Sequence, residues 1–260
     1  MISTLEPCLK AIILDMDGVL WKGDQPIGDL PAIFHRIHQA GLKVMFATNN
    51  ALNPLAYYRD KLNHFGLHVD SDQIINSAMA VCHLLKQDYP SGGSVYVVAS
   101  QGTREYLAEH GYFHQEEDVI AVIVGLDKAF SYEKLARANR LIRRGARFYA
   151  TNPDPTFPMP GELAPGAGSV IAAVQTASQT MPIYAGKPSP TMFAMALKQL
   201  ELHPEQVLAV GDRLDTDILG GQRAGCRTAL VLSGIHQMAD LAQWSPAPDL
   251  VASDLDTLIG

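Results

Sequence analysis

Two carboxylates, Asp15 and Asp17, stand two positions apart where an apolar stretch of the chain runs into a glycine. The stretch 11–14 (AIIL) has the branched composition of a strand buried in a parallel sheet. Acidic groups at the end of such a strand are costly unless water, a cation or reaction chemistry compensates them. Because ligands bind at the carboxyl ends of strands in open α/β sheets, the pair predicts a metal-dependent active site. One carboxylate would ligate or attack and the other would transfer protons. The alternative is an ordinary turn.

A second polar segment, 48–50 (TNN), follows the next apolar strand of the sequence. The hydroxyl of Thr48 and the nitrogen donors around Asn49 can hold the oxygens of a phosphate at a strand end. The alternative interpretation is a polar turn in front of the helix that follows.

A lysine, Lys187, stands in the segment 186–190 (GKPSP) between a predicted strand and a predicted helix. A cation at the strand ends would suit the charge that develops on a transferring phosphoryl group. The alternative is a surface lysine in a turn bounded by prolines.

A third set of acidic residues follows the apolar run 207–210 (VLAV). Asp212 stands at the predicted strand end, where it could complete a Mg²⁺ site with Asp15, since Mg²⁺ takes a few carboxylates, a carbonyl, water and phosphate oxygens. Asp217 falls about one helical turn further on and could hold Lys187 in place. Asp215 fits a helix-start residue better than a ligand, because acids there also favour the helix dipole.

Apolar runs alternate with helical periodicity along almost the whole chain, which predicts βαβ units, a parallel sheet and the α/β fold class. Strands are expected at 12–14, 43–47, 95–99, 119–124, 147–150, 183–185, 206–210 and 228–232. Helices are expected at 30–39, 54–65, 77–87, 103–110, 132–143, 168–177, 190–200 and 214–224. The segment 152–168, rich in proline and glycine, is expected to be an ordered loop.

Length and charge limit the classes of function. A chain of 260 residues suits one large or two modest domains. A net charge of −7 argues against a general nucleic-acid binder, because no basic excess exists to neutralise phosphates. The scattered residues Cys8, Cys82 and Cys226 show no metal spacing and are expected to be reduced thiols. The chain begins without a basic region before Glu6 and Pro7, and its apolar runs are too short to cross a bilayer, so no membrane partner and a cytoplasmic location are expected.

Taken together, these segments resemble the haloacid dehalogenase-like (HAD) hydrolase superfamily, in the NagD-type branch that includes nucleotide, p-nitrophenyl phosphate, phosphoglycolate and pyridoxal-phosphate phosphatases. The four motifs are the acidic pair 15–19 (DMDGV), Thr48 with Asn49, Lys187, and 211–217 (GDRLDTD). Further segments resemble the NagD-type branch in particular: 18–21 (GVLW), 47–50 (ATNN), 151–154 (TNPD) and 165–168 (PGAG). The chain departs from the branch at 178–179, where SQ replaces a frequent Thr-Gly.

The resemblance implies a Rossmann-like HAD core with a parallel sheet and a large inserted α/β cap domain. The core would comprise residues 1–76 and 182–260, and the cap residues 77–181. The loop 152–168 would belong to the cap, close over the leaving group and determine specificity, with Asn152 and Asp154 as substrate contacts. Their alternative role is an Asn-Pro-Asp turn that shapes the loop.

The resemblance also implies a mechanism. Asp15 would attack phosphorus and form an aspartyl-phosphate, and Asp17 would act as general acid and then general base. Mg²⁺ would be held by Asp15, the backbone carbonyl of Asp17 and Asp212. The residues that bind the phosphoryl oxygens would be Thr48, Asn49 and Lys187. Asp217 would orient that lysine.

The expected function is therefore Mg²⁺-dependent hydrolysis of small phosphomonoesters of the nucleotide, sugar phosphate or phosphoglycolate type. A phosphotransferase or mutase that shares the aspartyl-phosphate is the alternative, and a non-catalytic binding module is a third. A dinucleotide-binding oxidoreductase is disfavoured, because the glycines 166–168 are expected to follow a loop and not a strand. A small phosphorylated metabolite is the expected partner, and a homodimer is expected only by analogy.

Overall fold

A computed structural model describes the chain over residues 2, 5, 9–159 and 162–260. The predictions made for Glu6, Pro7 and Cys8 lie outside these residues. The strands are β1 (Ala11–Leu14), β2 (Trp21–Lys22), β3 (Gln25–Pro26), β4 (Lys43–Thr48), β5 (Ile74–Asn76), β6 (Gly93–Val98), β7 (Tyr112–His114), β8 (Ala121–Val124), β9 (Arg147–Ala150), β10 (Thr156–Met159), β11 (Glu162–Pro165), β12 (Ile183–Tyr184), β13 (Val207–Gly211), β14 (Arg227–Val231) and β15 (Leu250–Ala252). The α-helices are α1 (Leu30–Gln39), α2 (Leu55–His64), α3 (Ser77–Asp88), α4 (Gln101–Glu109), α5 (Tyr132–Arg143), α6 (Ala167–Ser178), α7 (Thr191–Leu200), α8 (Leu219–Arg223) and α9 (Leu255–Ile259).

The chain divides into two compact units. The first comprises Met1–Thr48, Leu55–Ile75 and Lys187–Gly260, and the second comprises Asn49–Pro54 and Asn76–Gly186. Residues 182–186 are predicted from the sequence to belong to the core with 1–76, but the structure differs. They belong to the second unit because β12 pairs with β9.

The short segment 49–54 joins the second unit through hydrogen bonds to side chains of that unit. The Ser77 hydroxyl donates to the carbonyl of Asn49 at 2.7 Å, and the Ser100 hydroxyl donates to that of Ala51 at 2.6 Å.

The first unit is built on a sheet in the order β15-β14-β13-β1-β4-β5. The neighbours of β1 on both sides, β13 and β4, run parallel to it. All residues of β1 are buried, as the branched composition of a strand covered on both faces requires. This arrangement, with the parallel sheet of the second unit, confirms the predicted α/β class.

The register of this sheet positions the site. Leu14 of β1 lies opposite Phe46 of β4 and Val210 of β13. The residues that follow these three in the chain therefore emerge together at the carboxyl edge. Helix α1 covers one face with buried residues at helical spacing: Leu30, Ile33, Phe34 and Ile37.

The second unit has its own parallel sheet in the order β12-β9-β8-β6-β7. Its core is formed between this sheet and helices α5 and α6. Helix α5 has the bounds that its periodicity predicted, because the Ser131 hydroxyl caps it by accepting from Lys134 N at 3.3 Å. Cys82 of this unit and Cys226 of the first are free, buried thiols.

The segment 152–168 differs from its prediction as a loop. It contains the antiparallel hairpin of β10 and β11, with Thr156 opposite Pro165. The expectation that the glycines 166–168 follow no strand is wrong, since β11 runs directly into Gly166. That strand belongs to a hairpin and not to a parallel βαβ unit, so it does not support the dinucleotide-binding interpretation.

Candidate active site

Lys187 is the centre of the site in the first unit. Its ammonium donates hydrogen bonds to Asp15 Oδ1 at 2.6 Å, to the carbonyl of Ala47 at 2.7 Å and to Asp217 Oδ1 at 2.5 Å. An ammonium has three protons to donate, and the residue is only 2% exposed. A buried lysine needs such partners, so the contacts fix its position.

Asp217 is held by the backbone that precedes it. Its Oδ2 accepts a hydrogen bond from the backbone N–H of Arg213 at 3.1 Å. The residues Leu214–Ile218 form a π-helical turn where the sequence predicted the start of an α-helix. At Gly211, a Cβ atom would lie 2.1 Å from Asp217 Cβ, so only glycine leaves room for this carboxylate.

Asp212 lies in a tight backbone enclosure. Its Oδ2 accepts from the backbone N–H of Ile235 at 2.7 Å. A Cβ atom added at Gly234 would lie 1.9 Å from Asp212 Oδ2, and one added at Gly18 would lie 2.5 Å from it. The Ser233 hydroxyl donates to the carbonyl of Gly18 at 2.6 Å and ties the two glycine segments together.

The loop 233–236 after β14 is the part of this site that the sequence analysis missed. It holds Asp212 through the backbone N–H groups of Ile235 and of His236, whose N–H reaches the carbonyl of Asp212 at 3.1 Å. Backbone donors leave no signature in side-chain types. The pair Ser233–Gly234 after a predicted strand is the one signal that could have marked the loop.

Three carboxylates, those of Asp15, Asp212 and Asp217, each offer an oxygen atom within 4.8 Å of the others. Lys187 compensates one of these charges, which leaves an excess of negative charge in a buried place. Burial, together with the charge of Asp217, raises the pKa of Asp212 to about 7. Burial also raises the pKa of Asp15 well above its usual value, although Lys187 opposes the shift.

The lysine shows the opposite balance. Burial alone would lower the pKa of Lys187, but the charges of Asp15 and Asp217 and the hydrogen bonds to both outweigh it and raise the pKa. Lys187 is therefore a permanent cation. Hard carboxylate oxygens with uncompensated negative charge are the donor set that Mg²⁺ selects, so these residues fit a magnesium ion. Asp217 accepts from Lys187 through one carboxylate oxygen and from the backbone N–H of Arg213 through the other.

Asp17 and Thr48 complete the predicted residues of the first unit. Asp17 Oδ1 accepts a hydrogen bond from the indole N–H of Trp21 at 2.9 Å. Thr48 ends β4 with 2% of its surface exposed. Asp215 forms an ion pair with Arg213 at 3.0 Å and does not join the carboxylate cluster.

The other predicted residues meet in the second unit. Asp154 Oδ2 accepts from Asn49 Nδ2 at 2.8 Å and from Asn152 Nδ2 at 2.6 Å. One carboxylate oxygen thus orients two amide side chains that stand far apart in sequence. This contact fits the shaping role that was the alternative for Asn152 and Asp154.

Comparison with known proteins agrees with this geometry. The family model of the haloacid dehalogenase-like hydrolases matches residues 12–113, and a second HAD-like hydrolase model matches residues 184–258. A dihydroxyacetone phosphatase from Corynebacterium glutamicum is 34% identical over 246 residues, which cover 95% of this chain and 89% of that protein.

Three solved structures superimpose on this chain over nearly all of its length. A p-nitrophenyl phosphatase from Archaeoglobus fulgidus superimposes with a TM-score of 0.90 at 30% identity, over 97% of this chain and 99% of the other. NagD from E. coli K-12 superimposes with a TM-score of 0.88 at 30% identity, over 96% of this chain and 98% of that chain. A glycerol phosphate phosphatase from Mycobacterium tuberculosis, solved in complex with magnesium, superimposes with a TM-score of 0.88 at 32% identity. The match covers 96% of this chain and 76% of that chain.

The chain belongs to the haloacid dehalogenase-like hydrolase superfamily, in its NagD-type branch. Within that superfamily it is a phosphatase, a hydrolase of phosphomonoesters. Among the described residues, no helix combines the length and the apolar character that spanning a membrane demands.

Proposed function

We propose that the protein is a Mg²⁺-dependent phosphatase of small phosphomonoesters that works through an aspartyl-phosphate on Asp15. The observation that carries the proposal is the buried group of Asp15, Asp212, Asp217 and Lys187, with more carboxylates than cations. In this proposal the first unit is the catalytic core and the second is the inserted cap domain.

Magnesium would be held by Asp15, Asp212 and the backbone carbonyl of Asp17. When bound, it supplies positive charge that lessens the repulsion between the nucleophile and a dianionic phosphate. Every other part of the chemistry falls to residues of the chain.

Asp15 attacks the phosphorus atom, and the bond from phosphorus to the leaving oxygen breaks. Asp17, as general acid, gives its proton to that oxygen. A water molecule then attacks the phosphorus of the aspartyl-phosphate, passes a proton to Asp17 and releases phosphate and the Asp15 carboxylate.

Binding of the phosphoryl oxygens is assigned to Thr48, Asn49 and Lys187. The lysine suits this role because its partners hold it in place and keep it charged before the reaction begins. Its contact with Asp217 assigns Asp217 to orienting it. Asn152 and Asp154 stay proposed as substrate contacts of the cap, in addition to the shaping role that their mutual hydrogen bond supports.

The substrates proposed are small phosphorylated metabolites of the triose, glycerol or sugar phosphate type. Relatives are named as a dihydroxyacetone phosphatase, acid sugar phosphatases and a glycerol phosphate phosphatase, which supports this class. The cytoplasmic location and the homodimer stay predictions, to be tested by cell fractionation and by light scattering.

The test is phosphate release from p-nitrophenyl phosphate and from a panel of sugar, glycerol and nucleoside monophosphates, with Mg²⁺ and with EDTA. We expect turnover that requires Mg²⁺ and a preference for the small polyol esters. Phosphate that passes to an added alcohol and not to water would favour the phosphotransferase. Absence of turnover by folded, Mg²⁺-supplied protein across the panel would contradict the proposal.

A further inference from the structure

The indole of Trp21 contacts the proposed general acid directly. Its Nε1–H donates to Asp17 Oδ1 at 2.9 Å, and the tryptophan is 1% exposed. Burial of an indole N–H calls for an acceptor, and here the acceptor is one oxygen of the carboxylate that must move protons.

The indole is fixed from several sides within the first unit. The backbone N–H of Gly18 donates to the carbonyl of Trp21 at 2.8 Å, and the ring of Phe65 packs at a centroid distance of 5.8 Å. Lys61 places its ammonium 4.6 Å from the centre of the indole ring and donates to the carbonyl of Gly23 at 2.6 Å. The cation draws electron density from the ring, which strengthens the N–H as a donor.

We propose that Trp21 is a positioning residue for Asp17, one that fixes the orientation of the carboxyl group that transfers the proton. The proposal rests on the proposed function. The indole N–H is only a donor, so the oxygen it reaches, Oδ1, serves as an acceptor.

The proton path follows from this assignment. In the first step the proton of Asp17 passes to the leaving oxygen as the bond from that oxygen to phosphorus breaks. In the second step the attacking water returns a proton to Asp17 as the bond from phosphorus to Asp15 breaks. The indole bond to Oδ1 persists in both steps, so the carboxyl group keeps one orientation throughout.

The test compares two substrates that differ in their need for a general acid. An alkyl ester such as glycerol phosphate needs protonation of its leaving oxygen, whereas p-nitrophenolate leaves without it. For Trp21→Phe we expect kcat/KM for glycerol phosphate to fall about tenfold or more, and kcat/KM for p-nitrophenyl phosphate to stay within about threefold. Equal losses for the two esters, or no loss for either, would overturn the proposal.

The matched control is Phe65→Leu, which disturbs the packing of the same indole and keeps the N–H donor. It should leave the ratio of the two kcat/KM values unchanged. A change as large as that of Trp21→Phe would show that the change in ratio comes from packing and not from the N–H donor, and would overturn the proposal. If Trp21→Phe does not fold, the same comparison is made with benzothienylalanine at position 21. This residue has nearly the shape of tryptophan, but a sulfur atom replaces the N–H group. The same shift in substrate ratio is then required.

The contact is also measurable without turnover. The sequence has two tryptophans, so the indole N–H signals of Trp21 and Trp244 are readily separated in a ¹⁵N spectrum. Asp17→Asn should move the Trp21 signal and leave the other in place, and an unmoved Trp21 signal would overturn the proposal. Failure of the proposed function is seen separately, as wild-type protein with Mg²⁺ that hydrolyses neither ester.

Discussion

Lys187 and Asp217 form a buried ion pair, with Nζ and Oδ1 2.5 Å apart and each residue at most 3% exposed. The pair connects two segments of the chain. Lys187 precedes α7, and Asp217 lies in the π-helical turn that follows β13. Its effect is to hold a cation at the carboxyl edge of the sheet before any substrate is present.

Replacing Lys187 by Met should lower kcat at least about 100-fold, since it removes a positioned cation from the phosphoryl site. It should also destabilise the protein in EDTA by roughly 3–5 kcal/mol, because buried carboxylates lose their counter-charge. Phosphate release and urea unfolding measure the two effects. A variant with near-normal kcat would contradict the role given to the lysine.

Asp217→Asn should reduce kcat less than the loss of the lysine does, because Asp217 acts through Lys187. In the double variant with Lys187→Met, the two losses should be far from additive, with a coupling of about 1 kcal/mol or more in the activation free energy. Independent effects would show that Asp217 acts elsewhere.

Gly18→Ala should weaken magnesium binding, because the new Cβ atom would lie 2.5 Å from Asp212 Oδ2 and displace that carboxylate. Gly23→Ala is the matched control: both glycines have positive φ, 82° and 57°, but nothing lies within 4 Å of the control position. The control should cost about 1 kcal/mol of folding stability and leave magnesium affinity unchanged. Titration of activity against Mg²⁺ tells the two apart, and equal affinities would argue against Asp212 as a ligand.

The metal-free protein should lose stability as pH rises from about 4 to 7. The pKa of Asp212 is raised from 3.8 to about 7 in the folded state, so over this range the folded protein keeps a proton that the unfolded chain has released. The contribution of this group to the free energy of unfolding should fall by at most ~1.4 kcal/mol per pH unit and end near pH 7, and the raised pKa of Asp15 adds a change of the same sign.

Asp212→Asn should weaken that dependence in EDTA and leave the part that comes from Asp15. Magnesium should reverse it for the wild type, because the metal requires the deprotonated carboxylate and stabilises most above pH 7. Urea unfolding at several pH values provides the measurement. A wild-type stability in EDTA that increases from pH 5 to 7 would be the contrary result.

Asp154→Ala should raise KM for phosphate esters and leave the fold intact. The variant removes the oxygen that orients Asn49 and Asn152 by hydrogen bonds of 2.8 and 2.6 Å. A cost of about 1–3 kcal/mol in stability of the second unit is expected, since the buried amide of Asn152 and the half-buried amide of Asn49 lose this acceptor. An unchanged KM would remove Asn49 from the phosphate-binding residues.

Local patterns predicted helices α1 to α8 and the inner strands of both parallel sheets, for physical reasons visible in the structure. The edge strands β5, β7 and β15, the strands of the two hairpins and helix α9 were not predicted. Helix α1 spans Leu30–Gln39 as expected, because its apolar spacing coincides with the cap at Asp29, which accepts from Ala32 N at 3.1 Å. Strand β1 is buried throughout, so its composition alone marks it.

What escaped prediction depends on contacts between distant segments. The hairpin of β10 and β11 lies in a segment whose prolines suggested a loop, and the short strand β7 forms an edge of its sheet. The contact between Asn49 and Asp154 spans 105 residues, and the enclosure of Asp212 is made of backbone groups. Neither leaves a periodic signal in the sequence.

The most direct test of the account is to find the phosphoryl group on Asp15. Acid-quenched protein taken during turnover of a labelled phosphomonoester should carry the label, and peptide mass analysis should place it on Asp15, with none in Asp15→Asn. Reduction with borohydride before digestion should convert the trapped acyl phosphate at that position to an alcohol. Label on another residue, or steady turnover by Asp15→Asn, would contradict the mechanism.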